Sequence, residues 1–172
     1  MALLRCFAFA LIVMLGLAPQ GAPAQDSGIL VNGQALTLEE IASYGVELPP
    51  GRYWYDGVSG LWGAEGGPSV GQIVAGLPLG SLLQPDASMG HTGVFLNGRE
   101  IHVDEVAELL RMFGEVPPGR YWLDANLVGG LEGQPASFDL KAASAAASGD
   151  SGGGKRYFED EVADFCARHG GC

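Results

Sequence analysis

An eight-residue motif occurs twice in this chain. Residues 49–56 read PPGRYWYD and residues 117–124 read PPGRYWLD, so seven of the eight positions are identical. Each copy is preceded by an Asn-Gly pair, Asn32 and Gly33 in the first and Asn97 and Gly98 in the second. Such self-similarity indicates that the fold is built from two copies of one unit. The repeat constrains the architecture strongly and the activity very little.

The pattern inside each copy predicts a hairpin, a short helix and a tryptophan-bearing strand. Apolar residues flank each Asn-Gly pair, which is the strongest short signal for a type I′ turn. Thr37 followed by Glu40 is a capping-box pattern that begins a short helix, and Asp104 is the predicted cap in the second copy. The predicted fold class is therefore α+β, a small domain rich in antiparallel strands, with homologous units at about residues 28–68 and 93–139.

Composition outside the repeats predicts export and a tethered tail. Arg5 precedes an apolar run that ends in small residues, which predicts a signal peptide over residues 1–24 and a periplasmic or secreted protein. Residues 25–140 then form the duplicated domain. An Ala, Ser and Gly-rich segment predicts a flexible linker over residues 141–156. Residues 157–172 are predicted to be a short amphipathic tail that bears cysteines.

The charge of the chain limits the class of partner. There are 20 acidic residues against 9 lysines and arginines, which gives a formal net charge of −11. Nucleic acid and anionic lipid surfaces need a basic footprint, so neither is an expected partner. No segment after residue 25 is apolar enough for stable membrane insertion. A protein or an envelope polysaccharide is the expected partner.

The duplicated strand supplies the candidate binding residues. Strand alternation puts Arg52, Trp54 and Asp56 on one face, which we predict to be the wetter face and an aromatic platform for a ligand. The alternative is that Trp54 and its counterpart Trp122 are core residues. Two further residues complete the predicted binding surface. These are Trp62, which has no counterpart in the second copy, and Arg99, which follows the second Asn-Gly pair.

Catalysis is the weaker hypothesis. Asp86, Ser88 and His91 bring an acid, a hydroxyl and an imidazole close together in sequence, as an envelope hydrolase would require. No nucleophile elbow surrounds Ser88, and these residue types are common in turns. We therefore assign no catalytic residue, no metal and no cofactor.

Two cysteines lie in the tail. Cys166 and Cys172 are spaced for one disulfide in an oxidising compartment. A metal site that includes His169, and a link between two chains, are alternatives. The last of these would make the protein a structural homo-oligomer.

The motifs also resemble a known family. The segments YWYDGVSGLWG (residues 53–63), DASMGHT (86–92) and FLNGREI (95–101) resemble a segment of the plant extra-large G proteins that lies upstream of their Gα-like domain. The resemblance implies a small accessory interaction module rather than an enzyme, and it assigns no catalytic residue. Because the chain has no P-loop, GTP binding is not expected. The resulting hypothesis is an exported, non-catalytic binding module.

Overall fold

The computed structural model describes residues 26–45 and 48–149. Within these ranges the chain folds into two five-stranded sheets, each with a short helix. The predicted signal peptide and the tail that carries Cys166 and Cys172 lie outside the described residues.

The first unit begins with a hairpin that leads into a helix. Its elements are β1 (Asp26–Val31), β2 (Gln34–Thr37), α1 (Leu38–Tyr44), β3 (Gly51–Tyr55), β4 (Leu61–Ala64) and β5 (Gly71–Gln72). The order of strands across the sheet is β2-β1-β3-β4-β5. The pairing of β1 with β3 is parallel and the other three pairings are antiparallel.

The second unit repeats this topology. Its elements are β6 (Val94–Leu96), β7 (Arg99–Glu100), α2 (Val103–Phe113), β8 (Gly119–Leu123), β9 (Val128–Leu131) and β10 (Phe138–Asp139), followed by α3 (Leu140–Gly149). The strand order β7-β6-β8-β9-β10 matches that of the first sheet position by position. The pairing of β6 with β8 is again parallel. The α+β class and the two similar units are confirmed, but the sheets are mixed rather than purely antiparallel.

The Asn-Gly pairs form the predicted tight turns. Both residues of each pair have a positive φ, 47° and 79° at Asn32 and Gly33 and 49° and 89° at Asn97 and Gly98, as a type I′ turn requires. Each asparagine side chain also bridges to the tryptophan-bearing strand. Its amide bonds the backbone N–H and C=O of Tyr55 in the first unit and of Leu123 in the second.

The helix ends follow the sequence closely. Thr37 and Glu40 form the capping box of α1, and the backbone N–H of Thr37 lowers the pKa of the Glu40 carboxyl. The prediction of Asp104 as the cap of α2 is wrong by two residues: the N-cap is His102, whose side chain accepts from the Asp104 N–H. Glu105 completes that capping box by accepting from the His102 N–H.

Two apolar cores hold the units. The first lies between α1 and the sheet; its buried residues are Ile29, Val31, Leu36, Tyr53, Tyr55 and Leu79. The second joins the two units; its buried residues are Trp54, Leu61, Ala87, Leu123 and Leu127. The first sheet therefore has a core on each of its faces.

Residues 141–149, predicted to start a flexible linker, belong instead to α3. Alanine has the highest helix propensity, and the alanine content of this stretch outweighs its serines and glycine. The remaining linker residues lie outside the described part. Within the described ranges, no helix has the length and apolar character needed to cross a bilayer.

Candidate functional site

The predicted binding face is mostly buried. Trp54 is only 1% exposed, and Asp56 and Arg99 are buried as well. The expectation that this face is open to a ligand is therefore wrong, and the alternative that Trp54 is a core residue is correct. Arg52 is exposed, and its guanidinium is paired with the Glu65 carboxylate at 2.7 Å.

Arg99 covers the Trp54 ring. Its guanidinium carbon lies 3.8 Å from the ring centroid, which is cation–π geometry. The same guanidinium forms a bidentate ion pair with Glu105 at 2.7 and 2.8 Å. It also donates to the Ser88 hydroxyl at 2.5 Å. Because Arg99 belongs to the second unit and Trp54 to the first, this stacking contact links the two units.

Asp56 is the second link between the units. Its carboxylate accepts from the Val58 N–H at 2.9 Å, from the Ser59 hydroxyl at 2.5 Å and from the Asn97 amide at 2.7 Å. Asn97 lies in the Asn-Gly turn of the second unit. The Asp56 carboxylate, which directly follows β3, therefore links the first unit to the second. Every buried side-chain nitrogen or oxygen within the described residues has a hydrogen-bond partner. We call Asp56, Ser59, Ser88, Asn97, Arg99 and Glu105 the inter-unit polar cluster.

The residues of the hydrolase hypothesis do not form a triad. Ser88 is fully buried, and its hydroxyl accepts from Arg99. Asp86 and His91 are exposed. Among the described hydrogen bonds, none joins the side chains of Ser88, Asp86 and His91. A nucleophile needs a base within hydrogen-bond reach and access to substrate, so the geometry gives this hypothesis no support.

Trp62 is half-buried and belongs to the first unit's core. Its ring lies 6.1 Å from that of Tyr53, and its ladder partner on β5 is Gly71. In the second unit the large and the small residue of this cross-strand pair change places between the two strands. Gly129 occupies the position of Trp62, and its partner across the ladder is Phe138. A side chain at Gly129 would meet the Phe138 ring at 2.5 Å, so Phe138 fills the corresponding space.

Each unit has an apolar cavity between its helix and its sheet. The first encloses about 200 Å³ and is bordered by Trp62, by Tyr44 of α1 and by Leu79 from the segment that connects the units. Two buried tyrosines belong to its wall. Burial raises the pKa of both Tyr53 and Tyr55, because the low-dielectric surroundings disfavour the phenolate.

The second cavity, which we call groove 2, is larger. It encloses about 310 Å³, and its walls come from the sheet, α2, the segment that follows α2, and the start of α3. The lining residues are Val94, Leu96, Ile101, Leu109, Phe113, Glu115, Val116, Pro117, Tyr121, Ser137, Phe138 and Leu140. Phe113 and Tyr121 both contact the Phe138 ring edge to face, at centroid distances of 6.0 and 6.2 Å. Sequence reasoning missed this groove, although the apolar spacing of α2 was visible.

Within the described residues no cluster of three histidine, cysteine or acidic side chains could hold a metal ion. Groove 2 has Glu115 and Ser137 as its polar lining residues. The arrangement is suited to holding apolar groups and offers no assembled acid–base pair for chemistry.

Comparison with known proteins gives partial matches. The chain is 40% identical over 106 residues to extra-large guanine nucleotide-binding protein 1 of Arabidopsis thaliana, and 32% identical over 106 residues to extra-large guanine nucleotide-binding protein 2 of the same plant. Each match covers 57% of this chain and 12% of the relative's length. No protein-family profile and no solved structure matches the chain. Part of this chain is therefore homologous to a short segment of the plant extra-large guanine nucleotide-binding proteins.

Proposed function

We propose that the chain is an exported, non-catalytic binding module, and that its ligand site is groove 2. The observation that carries the proposal is the incomplete cover of α2. This eleven-residue helix is amphipathic, yet none of its residues is buried, and Leu110 and Phe113 remain 44% and 38% exposed. An amphipathic helix normally buries its apolar stripe, and Phe113 lines groove 2, so a partner that covers groove 2 would bury the exposed part of Phe113.

The roles of the motif residues support a binding surface outside the motifs. Asn97 and Arg99 of the second Asn-Gly segment fix the inter-unit polar cluster. In the SGLWG segment, a side chain at Gly60 would meet the Ile73 carbonyl oxygen at 2.1 Å, and one at Gly63 the Pro68 carbonyl oxygen at 2.2 Å. These motifs therefore specify packing. A ligand site is free to lie elsewhere on the scaffold.

The partial homology supports a module rather than an enzyme. A segment that makes up 12% of two long plant proteins also makes up more than half of this short chain. A unit that occurs in such different contexts is typical of an interaction domain. Export rests on the sequence of residues 1–24 alone, and the expected partner is a protein of the cell envelope or the secreted fraction.

The experiment is affinity capture from a native envelope extract with three versions of the full chain. The parent is compared with Phe113→Asp, which puts a charge into groove 2, and with Val74→Asp. Val74 is 70% exposed and lines neither cavity, so its variant is the matched control. We expect one partner to bind the parent and the Val74 variant and to be lost with Phe113→Asp. Circular dichroism checks that all three versions are folded.

Equal capture by the parent and a folded Phe113→Asp variant would show that groove 2 is not the site. Turnover of ester or amide substrates that Ser88→Ala abolishes would instead favour an envelope hydrolase. If the partner is instead lost with Val74→Asp and retained with Phe113→Asp, the binding site lies on the first unit.

A further inference from the structure

We infer that groove 2 selects a basic apolar peptide segment of its partner protein, with a lysine or arginine placed at the end of α2. The inference rests on the proposed function, because it names the chemistry of the partner that the same groove would take. Two features of the groove carry it, an apolar floor and an acidic end.

The apolar floor is large enough for side chains of a partner. Groove 2 has a volume of about 310 Å³, at the lower end of the roughly 300–1,000 Å³ range of ligand pockets. Phe113 and Phe138 meet edge to face at one wall, which fixes the position of two aromatic rings. Apolar side chains that enter beside them would bury the exposed part of Phe113. That burial is the main source of affinity expected here.

The acidic end is Glu115. Its carboxylate is exposed and forms no hydrogen bond or ion pair with any residue in the described ranges. It directly follows Gly114, the left-handed cap that ends α2. The C-terminal end of a helix carries a partial negative charge, so the helix and the carboxylate both favour a cation at this place.

The chain's own arginines do not supply that cation within the described residues. Each of them already has a carboxylate partner; the pairs are Arg52 with Glu65, Arg99 with Glu105, Arg111 with Glu108 and Arg120 with Glu132. Lys141 acts on Asp124, where it contributes to lowering the pKa of that carboxyl. With a net charge of −11 the whole chain also attracts a basic partner.

The same charges argue against a lipid as the occupant. The carboxylate or phosphate of a lipid would have to approach Glu115 and the negative end of α2. A negatively charged headgroup that approaches these negative charges is repelled. No arginine in the described residues is free to neutralise it. A basic peptide meets the opposite situation.

The test uses isotopically labelled full chain and two synthetic helical peptides with identical leucine positions, one carrying lysines and the other glutamates. Binding is followed by the NMR shifts of Leu109, Phe113 and Tyr121. We expect the lysine peptide to bind at least about fivefold more tightly than the glutamate peptide. Glu115→Gln should weaken the lysine peptide about threefold, and the matched control Glu65→Gln should leave it unchanged.

Equal affinity for the two peptides, or no effect of Glu115→Gln, would overturn the charge selection and leave the proposed function intact if capture still depends on Phe113. Shifts at Phe113 caused by Lys155→Glu and Arg156→Glu without any peptide would show that the chain's own tail is the occupant. A dimer in sedimentation that Phe113→Asp dissociates would show a second copy. A lipid that co-purifies with the parent and not with Phe113→Asp would also overturn the inference that the occupant is a basic peptide. If neither peptide shifts groove 2 and capture is independent of Phe113, the proposed function fails as well.

Discussion

Trp54 and Trp122 occupy the same position in the two copies of one motif, yet only Trp54 is buried. Both indoles donate the same hydrogen bond to a loop carbonyl, Trp54 to Gly67 at 3.1 Å and Trp122 to Gln134 at 3.0 Å. The difference lies in what covers them. Arg99 stacks on Trp54, whereas Trp122 is half-buried at the protein surface. Identical local sequence therefore fixes the conformation of the strand and leaves the burial of its side chains to the neighbouring unit.

The two cavities differ for a related reason. After β5 the chain returns over the first cavity, where Leu79 is buried in the core. After β10 the chain continues into α3, of which Leu140 lines groove 2. In the first unit the segment that connects the units thus contributes to the cavity wall, and in the second unit the start of α3 does. Duplication supplied two equivalent frameworks, and the different segments that follow them gave the frameworks different surfaces.

The two repeated tryptophans should differ most in how much stability is lost when each is replaced by alanine. Trp54→Ala should lower the free energy of unfolding by about 3 to 5 kcal/mol, because it removes a fully buried indole and the surface on which Arg99 stacks. Trp122→Ala should cost about 1 to 2 kcal/mol, since that side chain is half-buried. Urea denaturation of both variants measures the difference, and equal losses would contradict the asymmetric burial.

Arg99→Met should give the next largest loss in the free energy of unfolding. It keeps the apolar stem but removes the charge, so the half-buried Glu105 carboxylate loses its ion pair and the Ser88 hydroxyl loses the hydrogen bond that Arg99 donates. We expect a loss of about 2 to 4 kcal/mol in urea denaturation. Gln34 holds the equivalent position after the first Asn-Gly pair and is exposed, so Gln34→Met should change stability by less than about 0.5 kcal/mol. A loss for Gln34→Met as large as that for Arg99→Met would refute the role of the stack.

Alkaline pH should act on the first unit through its buried tyrosines. The pKa of Tyr55 is raised by burial, so its contribution to stability is complete below the ordinary phenol pKa of about 10 and is lost as the pH rises through the raised value. Leu123 holds the equivalent position in the second unit and cannot ionise. Tyr55→Phe should flatten the fall in stability above about pH 10.

The same substitution should cost about 1 to 2 kcal/mol at neutral pH, because the Tyr55 hydroxyl donates to the Val74 carbonyl and accepts from the Leu77 N–H. Urea denaturation between pH 8 and 11 measures both effects. An unchanged alkaline slope in the variant would mean that other groups control it.

The smallest change in the free energy of unfolding is expected for the exposed arginines Arg52 and Arg120, and it should be equal in the two units. Arg52 and Arg120 form equivalent exposed ion pairs with Glu65 and Glu132. Alanine at either position should change the free energy of unfolding by less than about 0.5 kcal/mol, because exposed pairs are well solvated. A clear loss for only one of them would show that the asymmetry between the units extends to the outer surface.

Much of the fold was predictable because its signals are local. The Asn-Gly turns, the capping box of α1 and the glycines that end α1 and α2 depend on residues within four positions of each other. The candidate site was not predictable in the same way. Strand alternation separated Trp54 from Tyr53 and Tyr55, which lie in a different core, but alternation alone does not say which face meets solvent. Groove 2 was missed because it depends on how α3 and the segment after α2 meet the sheet.

The duplication and the α+β class were readable from the repeated motif and its flanking patterns. The Asn-Gly turns and the start of α1 were predictable because they follow from dihedral preferences and hydrogen bonds between near neighbours. Three features depend instead on tertiary packing: the stacking of Arg99 on Trp54, the hydrogen bond between Asp56 and Asn97, and the segment that lines each cavity. Asp56 and Asn97 are 41 positions apart. Contacts of that range depend on how the two units pack, and no pattern within either unit encodes that packing.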